Sequence, residues 1–388
     1  MKRTVLVFFA CCLATFIYAS GRHTTIIISL DGCRWDYPYL YHTPMLDYMA
    51  NHGIESGLIP SFPSKTFPNH YTIATGLYPD HHGIVANTFL DTESGNVFNL
   101  SDPEQKYNPV YYGGEPVWIT ARKNNVKTAV FYWPGSDVKI QGQSPDLFYY
   151  YDEEPRLTFS QRIDGILAEL EKPFDVRPQL IMAYFEQPDA NGHTYGPHSE
   201  KTRQAVMEMD SLVQCLYDGL CRSGMEKTTN LVVLSDHGMT WVDKTHAVPL
   251  MPCLKQEWVW DIQGNIPACI YANDGCADSI YHVLKDLDHV KVWRKHEVPE
   301  YLHYGTSSHI GDVVVLPDIG YVAYDKPIEA GGAHGYDPTL QDMHAVFRAI
   351  GPDIPRCSLP HFPNVCVYSL MCKLLDIEPV PNDGKIPF

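Results

Sequence analysis

The chain is poor in basic residues, with 29 lysines and arginines against 46 aspartates and glutamates among 388 residues and a formal net charge of −17. This balance argues against a nucleic-acid-binding surface, because a phosphate backbone selects for clustered positive charge. It permits small anionic substrates if bound metal ions supply local positive charge. The sequence has no internal repeat and no low-complexity tract, and 45% of its residues are hydrophobic, which is ample for a large globular core.

Long apolar runs are absent after the N-terminus. The chain begins with two basic residues near Met1 and continues with an apolar run from Val5 to about Ala19. That run is shorter than the roughly 20 residues of a membrane-spanning helix and has the pattern of a secretory signal peptide. We therefore predict a signal peptide at 1–20, one large domain at 21–388, and a secreted protein that is a monomer.

Cysteine pairs with CxxC spacing are also missing, which argues against a cysteine-ligated zinc site. Of eleven cysteines, Cys11 and Cys12 fall in the predicted signal peptide and nine remain. In an oxidising compartment we expect most of these nine to form disulfides, and the pairing is left open. The triplet that begins at Asn99 is an N-glycosylation sequon, so we also predict a glycoprotein.

Three apolar runs rich in β-branched residues each end in an acidic turn. The runs and the acids that follow them are 24–30 with Asp31, 180–185 with Asp189, and 231–235 with Asp236. Continuous apolar runs are typical of strands buried on both faces. Helical patterns occur at about 43–53, 159–171, 199–223 and 341–349. The sequence therefore predicts an α/β fold with a central, mostly parallel sheet and helices on both faces.

The segment from about 241 to 330 has a different character. It contains Trp258, Trp260, three cysteines and short strand-like pieces such as 312–316. We predict that this segment is a smaller cap or insertion on the main sheet.

Carboxylates and histidines follow the predicted strands at the edge where ligands gather in open α/β sheets. The candidates are Asp31, Asp189 with His193, Asp236 with His237, and His334. Each has a simpler interpretation, since a strand-end aspartate commonly caps a turn and, with 18 histidines, chance neighbours are expected among His81, His82 and His70. The joint pattern favours metal ligation, because carboxylate and imidazole ligands suit Zn²⁺. Two such ions would form a site for in-line displacement at phosphorus.

Thr66 lies in a run of turn residues, 61–70, just before a helix-compatible segment at 71–76. A hydroxyl at a helix N-terminus faces unpaired N–H groups and the positive end of the helix dipole. That setting favours an alkoxide and, later, a phosphoryl oxygen. The alternative is an ordinary capping hydroxyl.

Ten short motifs together resemble the ectonucleotide pyrophosphatase/phosphodiesterase family, a branch of the alkaline phosphatase superfamily. They are SLDG at 29–32, PSKTFPNHY at 63–71, TGLYP at 75–79, HGIV at 82–85, YWPGSD at 132–137, EQPD at 186–189, GHTYGP at 192–197, SDHGM at 235–239, GAHGY at 332–336 and YSLMC at 368–372. The resemblance covers about 24–388. It implies an alkaline-phosphatase-like sheet and identifies 21–388 as a phosphodiesterase catalytic domain of the short type, without cysteine-rich modules or a nuclease-like domain.

The resemblance also implies a role for each motif residue. Thr66 is expected to be the nucleophile, with Asn87 and the Thr66 N–H donating to the bound phosphate. Two Zn²⁺ per chain are expected, one held by Asp31, Thr66, Asp236 and His237, the other by Asp189, His193 and His334. The expected walls of a base-binding slot are Phe67, Trp133 and Tyr151.

The substrate expected from the resemblance is a nucleotide. Residues 99–109 and 186–189 resemble the nucleotide-acting members of the family rather than those acting on choline lipids. We therefore predict hydrolysis of ATP-like or dinucleoside polyphosphate substrates to nucleoside 5′-monophosphates through a phospho-threonine. The alternatives are a phosphodiesterase of the same fold acting on choline-type phospholipids and an inactive, partner-binding ectodomain. Many short members of the family carry a C-terminal membrane anchor, and this sequence ends before any such segment, so we expect either a naturally secreted protein or a shortened form.

Overall fold

The structure is a computed structural model that describes residues 22–387, so the predicted signal peptide at 1–20 lies outside the described residues. The strands, in chain order, are β1 Thr24–Leu30, β2 Ile54–Ile59, β3 Thr88–Leu90, β4 Val97–Asn99, β5 Thr128–Phe131, β6 Leu147–Phe148, β7 Leu180–Phe185, β8 Thr229–Leu234, β9 Thr240–Val242, β10 Ala247–Val248, β11 Val259–Gln263, β12 Ala268–Ala272, β13 Val290–Arg294, β14 Val313–Pro317, β15 Val322–Ala323, β16 Gly331–Ala333, β17 Ala345–Ile350, β18 Cys357–Ser358 and β19 Phe362–Pro363. The α-helices are α1 Tyr37–Leu40, α2 Pro44–His52, α3 Thr66–Thr75, α4 Pro79–His82, α5 Pro103–Lys106, α6 Val117–Lys123, α7 Phe159–Leu170, α8 Asp189–Tyr195, α9 Glu200–Ser223, α10 Ala277–Leu284 and α11 Val367–Leu374.

A nine-stranded sheet forms the centre of the molecule, with the order β18-β2-β17-β8-β1-β7-β5-β6 and β19 beside β2. Every residue of β1, β7 and β8 is buried, as expected for strands covered on both faces. These three strands pair in parallel, so their carboxyl ends meet at one edge. The predicted α/β fold with a mostly parallel sheet is confirmed.

Helices cover both faces of this sheet because alternate strand residues point in opposite directions. Ile26 and Ile28 pack with the apolar faces of α2, α7 and α9. Ile27, between them, packs on the other face with residues of α3, α6 and α11. The predicted helices at 43–53, 159–171 and 199–223 correspond to α2, α7 and α9 within two residues at each end.

The predicted helix at 341–349 is wrong, because Ala345–Ile350 forms strand β17. This strand is fully buried and pairs antiparallel with β2 on one side and β8 on the other. Its local composition is compatible with a helix. Hydrogen bonding and burial between two strands override that weak local preference.

Residues 240–333 contain a second, four-stranded antiparallel sheet with the order β11-β12-β14-β13. Helix α10 packs on it through Ile280 and Leu284, which belong to a separate apolar cluster. Strand β9 pairs with β16, so both ends of the segment meet beside the main sheet. The cap boundary at about 241–330 stays a prediction, and this pairing is the feature that favours it.

The nine cysteines between residues 22 and 387 are all free thiols, so the structure shows none of the expected disulfides. Several lie in separate parts of the core. Cys33 packs on the α9 side of the sheet, whereas Cys366 and Cys372 pack on the α11 side. Cys269 is buried near Tyr304, while Cys253 is exposed. Within the described residues, no helix combines the length and apolar character needed to cross a membrane.

Candidate functional site

The ligands predicted from the sequence gather at the carboxyl edge of β1, β7 and β8, in two groups. In each group, one nitrogen or oxygen atom per side chain lies within 4.8 Å of the others. The first group contains Asp31, Asp236 and His237, and the second contains Asp189, His193 and His334. The imidazole rings of His237 and His334 stack with centroids 3.5 Å apart, so the two groups adjoin.

A glycine allows the turns after β1 and β7 to approach each other closely. Gly32 has φ +65°, and a Cβ atom added there would lie 2.8 Å from Cβ of Asp189. The N–H of Asp189 donates to the carbonyl of Asp31 at 2.9 Å. The left-handed turn therefore places the first aspartate of each group side by side.

The three histidines present the same nitrogen to the site. Nδ1 of His193, His237 and His334 lies 2.7–2.8 Å from the carbonyl oxygens of Gly332, Gly238 and Ser64, respectively. A carbonyl only accepts, so each Nδ1 carries the proton and each Nε2 offers a lone pair. The Nε2 atoms of His193 and His334 face each other at 3.0 Å, an arrangement that a cation between them would stabilise.

The carboxylates also leave one oxygen each without a hydrogen bond. These buried, unpartnered atoms are Oδ1 of Asp31, Oδ1 of Asp189 and Oδ2 of Asp236. Orphaned buried acceptors are costly, and here they sit among imidazole lone pairs, which is a donor set that fits Zn²⁺. Burial, reinforced by Asp236 and Asp189, raises the pKa of Asp31 well above its ordinary value. Burial lowers the pKa of His334 well below its ordinary value, consistent with a neutral ligand.

Thr66 is the first residue of α3, and its hydroxyl joins the first ligand group. Oγ1 lies 3.1 Å from Nε2 of His237. The preceding loop is held by Ser64, whose carbonyl meets His334 and whose hydroxyl donates to the carbonyl of Tyr336. Among residues 22–387, the side chain of Lys65 makes no assigned hydrogen bond or ion pair, and burial lowers its pKa to about 8.

Asn87 lies beside the start of α3. Its Oδ1 accepts the N–H of Phe67 at 3.0 Å, which leaves the amide nitrogen of Asn87 as a free donor. The N–H of Thr66, in the first turn, has no assigned partner within the described chain. These two donors are placed where an anion at the helix N-terminus would be bound.

The predicted aromatic residues line one cavity next to Thr66. The cavity measures about 150 Å³, and Phe67, Trp133 and Tyr151 all contribute to its wall. Trp133 is held from behind, since its Nε1 donates to the carbonyl of His70. Three charged residues of the same wall, Lys106, Asp137 and Asp152, were not predicted as site residues. Asp137 ends the motif at 132–137 and Lys106 lies within 99–109, so their place in segments that carry the family resemblance was an available signal.

Two further residues support the ligands and were not predicted as site residues. The hydroxyl of Tyr184, on β7, donates to Oδ2 of Asp31. Nδ1 of His70 lies 2.9 Å from the carbonyl of Thr66 and 3.3 Å from Oδ2 of Asp236. From the sequence alone, His70 is expected to be a chance neighbour of the candidate ligands. Its position four residues after Thr66 on a helix was an available signal.

Comparisons with known proteins agree with this geometry. A family model described as type I phosphodiesterase/nucleotide pyrophosphatase matches residues 25–337. Human ectonucleotide pyrophosphatase/phosphodiesterase family member 1 is 34% identical over 384 residues, which are 93% of this chain and 40% of that protein. A Schizosaccharomyces pombe protein named as an uncharacterized pyrophosphatase/phosphodiesterase is 34% identical over 93% of this chain and 78% of its own length. The chain thus spans about two fifths of the human relative.

A solved structure is similar over nearly the whole chain. It is an inactive threonine-to-alanine variant of murine ectonucleotide pyrophosphatase/phosphodiesterase 5 in complex with AMP. The TM-score is 0.87 at 30% sequence identity, with 94% of this chain and 97% of that chain covered.

Proposed function

Because the chain belongs to the type I phosphodiesterase/nucleotide pyrophosphatase family, we propose that it hydrolyses nucleotide phosphodiester and pyrophosphate bonds to nucleoside 5′-monophosphates. The observation that carries this proposal is the position of Thr66. Its hydroxyl lies 3.1 Å from His237 at a helix N-terminus and lines an aromatic cavity. The similar murine protein, described as inactive in a threonine-to-alanine variant and solved with AMP, supports the same reading.

The donor set fits two Zn²⁺ ions. Asp31, Asp236, His237 and Thr66 would hold one, and Asp189, His193 and His334 would hold the other. When bound, the ions would lower the pKa of the Thr66 hydroxyl and offset the negative charge on the departing oxygen.

The nucleophile in this proposal is Oγ1 of Thr66. Oγ1 gives its proton to solvent water and attacks phosphorus, so that the Oγ1–P bond forms as the bond from phosphorus to the departing oxygen breaks. This gives a phospho-threonine ester and, from a nucleoside triphosphate, releases pyrophosphate. The N–H of Thr66 and the amide of Asn87 donate to the non-bridging oxygens, where charge develops. The oxygen of a water molecule then attacks phosphorus as the Oγ1–P bond breaks. The water gives up a proton, Oγ1 takes one up, and the nucleoside monophosphate leaves.

The aromatic cavity would bind the nucleoside. Phe67 and Tyr151 offer ring faces for stacking, and the base of a nucleotide is flat and apolar enough to use them. Lys106, whose ammonium pairs with Asp152, and Asp137 are charged residues of the same wall. The unpaired ammonium of Lys65, next in sequence to Thr66, would face the remaining phosphates of the substrate.

We infer a secreted location from the signal-peptide pattern at 1–20, which places the site in contact with extracellular nucleotides. Glycosylation of Asn99 is part of the same proposal, because the residue lies at the end of β4 and is partly exposed.

Product analysis tests the proposed function. The protein is incubated with ATP, with and without a chelator, and the products are separated by chromatography. We expect AMP and pyrophosphate, and no turnover once the metal is removed. ADP and phosphate as the products, or unchanged turnover with chelator, would contradict the proposal.

A further inference from the structure

A second cavity, of about 500 Å³, lies beside the second group of candidate ligands. His193, Lys65 and Gly332 are among the residues that line it. No residue lines both this cavity and the aromatic cavity next to Thr66. The aromatic cavity adjoins the first ligand group, because Tyr184 lines this cavity and donates a hydrogen bond to Asp31. The second cavity adjoins the second ligand group through His193.

In-line displacement fixes what this second cavity would receive. The departing oxygen leaves phosphorus on the side opposite the attacking Oγ1 of Thr66. His193 belongs to the ligand group next to that side and lines the second cavity. The departing part of the substrate would therefore pass Lys65 and enter this cavity, while the retained nucleoside stays against Phe67.

The lining is poorly suited to pyrophosphate alone. Val242, Ile266, Val322 and Ile328 contribute an apolar wall that a hydrated anion cannot use. Tyr324 lines the same wall with 40% of its surface exposed, which leaves its ring available for contact. Asn265 also lines the cavity, and its side-chain amide has no assigned hydrogen-bond partner among residues 22–387. An aromatic ring beside a free amide is the combination that binds a nucleobase by stacking and edge hydrogen bonds.

We infer that this cavity is a subsite for the second nucleoside of a dinucleoside polyphosphate, with Tyr324 against the base and Asn265 at its polar edge. The inference rests on the proposed function and makes dinucleoside polyphosphates better substrates than esters with a small leaving group. The subsite wall comes from residues 265–266 and 322–330, within the segment inserted between β9 and β16.

Substrates with large and small leaving groups test the subsite. Wild-type protein and Tyr324→Ala are assayed with diadenosine tetraphosphate and with the p-nitrophenyl ester of thymidine 5′-monophosphate. We expect the variant to lose about tenfold in kcat/KM on the tetraphosphate, mainly through KM, because base stacking is lost. On the nitrophenyl ester, which has no second nucleoside to bind at Tyr324, the change should stay below about twofold.

Two further variants separate stacking from general damage. Tyr324→Phe keeps the ring and should retain near wild-type kcat/KM on the tetraphosphate. Trp260→Ala removes a ring of similar exposure from β11 of the same insertion, outside the cavity lining, and should change neither substrate. An equal loss on both substrates, or no loss on the tetraphosphate, would overturn the subsite while the proposed function stands. A wild-type protein inactive on both substrates would instead overturn the proposed function.

Discussion

The hydroxyl of Tyr184 donates a hydrogen bond to Oδ2 of Asp31, and this bond determines which oxygen of Asp31 faces the candidate metal ligands. The other oxygen, Oδ1, has no hydrogen-bond partner and lies 3.4 Å from Nε2 of His237. A tyrosine within a buried strand thus orients a carboxylate at the end of the neighbouring strand.

Tyr184→Phe is expected to weaken zinc binding about tenfold, because Asp31 loses the partner that orients it. The phenylalanine ring still fills the cavity wall, so kcat at saturating zinc should be close to that of wild type. Zinc titration of activity measures both quantities. Tyr132→Phe is the matched control. Tyr132 lines the same cavity, and its hydroxyl accepts a hydrogen bond from the N–H of Leu157, so this variant loses a tyrosine hydroxyl that has no bond to Asp31. Equal zinc affinity in Tyr184→Phe and wild type would contradict the orienting role.

Thr66→Ala is expected to reduce turnover of a nucleotide diester below about 0.1% of wild type, since no side-chain oxygen remains to attack phosphorus. Metal content should stay near that of wild type, because six other ligand side chains remain. Thr66→Ser restores an oxygen at the same position and should recover part of the activity. Metal analysis and single-turnover trapping of the phosphorylated residue check both points. Substantial activity in Thr66→Ala would rule out the covalent route.

Chelation is expected to destabilise the folded protein. Without cations, the buried carboxylates of Asp31 and Asp236 lie close to each other and to the half-buried carboxylate of Asp189, which burial and mutual repulsion disfavour. Removing ions that bind the native state tightly should lower Tm by about 5 °C, and added zinc should restore it. Differential scanning calorimetry provides the measurement. Asp189→Asn should show a lower Tm before chelation and a smaller further decrease. An unchanged wild-type Tm after chelation would show that no cation bound to these groups stabilises the fold.

His82 is expected to make the metal-free protein sensitive to mild acid. The ring is fully buried, its Nδ1 accepts the N–H of Ile84, and its Nε2 lies 3.0 Å from the hydroxyl of Thr72. Burial lowers the pKa of His82 from 6.5 to about 3. The folded state therefore keeps this ring neutral at pH values where the unfolded chain would protonate it. The stabilisation is present above the unfolded pKa of 6.5 and is lost as pH falls from there towards 3.

Urea titrations at several pH values measure this effect. Between pH 6.5 and pH 4.5, His82 should contribute a loss of about 1 kcal/mol per pH unit in the free energy of unfolding. His82→Gln, compared under chelation with equally chelated wild type, should be less stable at pH 7.5 but show a flatter dependence in this window. Identical slopes in the two proteins would show that His82 does not titrate as its surroundings indicate.

The parts of the structure that the sequence could predict depend on regular patterns. Apolar runs that end in acids predicted β1, β7 and β8, and parallel strands bring such ends together. The wrong helix at 341–349 shows where local pattern is insufficient. Arg348, in the middle of β17, is 1% exposed and donates to the carbonyl of Ser56, a contact set by pairing with a distant strand. No local propensity contains that information.

The same limit applies within the site. Most of the predicted ligands directly follow buried strands, so the sequence could predict that they meet at one edge of the sheet. Their metal-binding roles stay predictions. Tyr184 and Lys106 belong to the site because of where their side chains point after the sheet and loops have packed. A tyrosine or a lysine does not by itself mark a functional site in a sequence, because both residue types are common. For the cysteines, composition predicted disulfides that the structure does not show. Cys33 and Cys372, for example, are both buried as free thiols in separate parts of the core.

The antiparallel strand β17 sets the order in which this molecule can be completed during synthesis. In the sheet, β2 reaches β8 only through β17, and α3 with Thr66 follows β2 in the chain. The strands that carry the aspartates have all been made by residue 234, about a hundred residues before β17. A nascent chain can pair those strands early, whereas β2 joins the sheet only after residues 345–350 have emerged. The reaction centre can therefore be complete only after His334 and then β17 have been made.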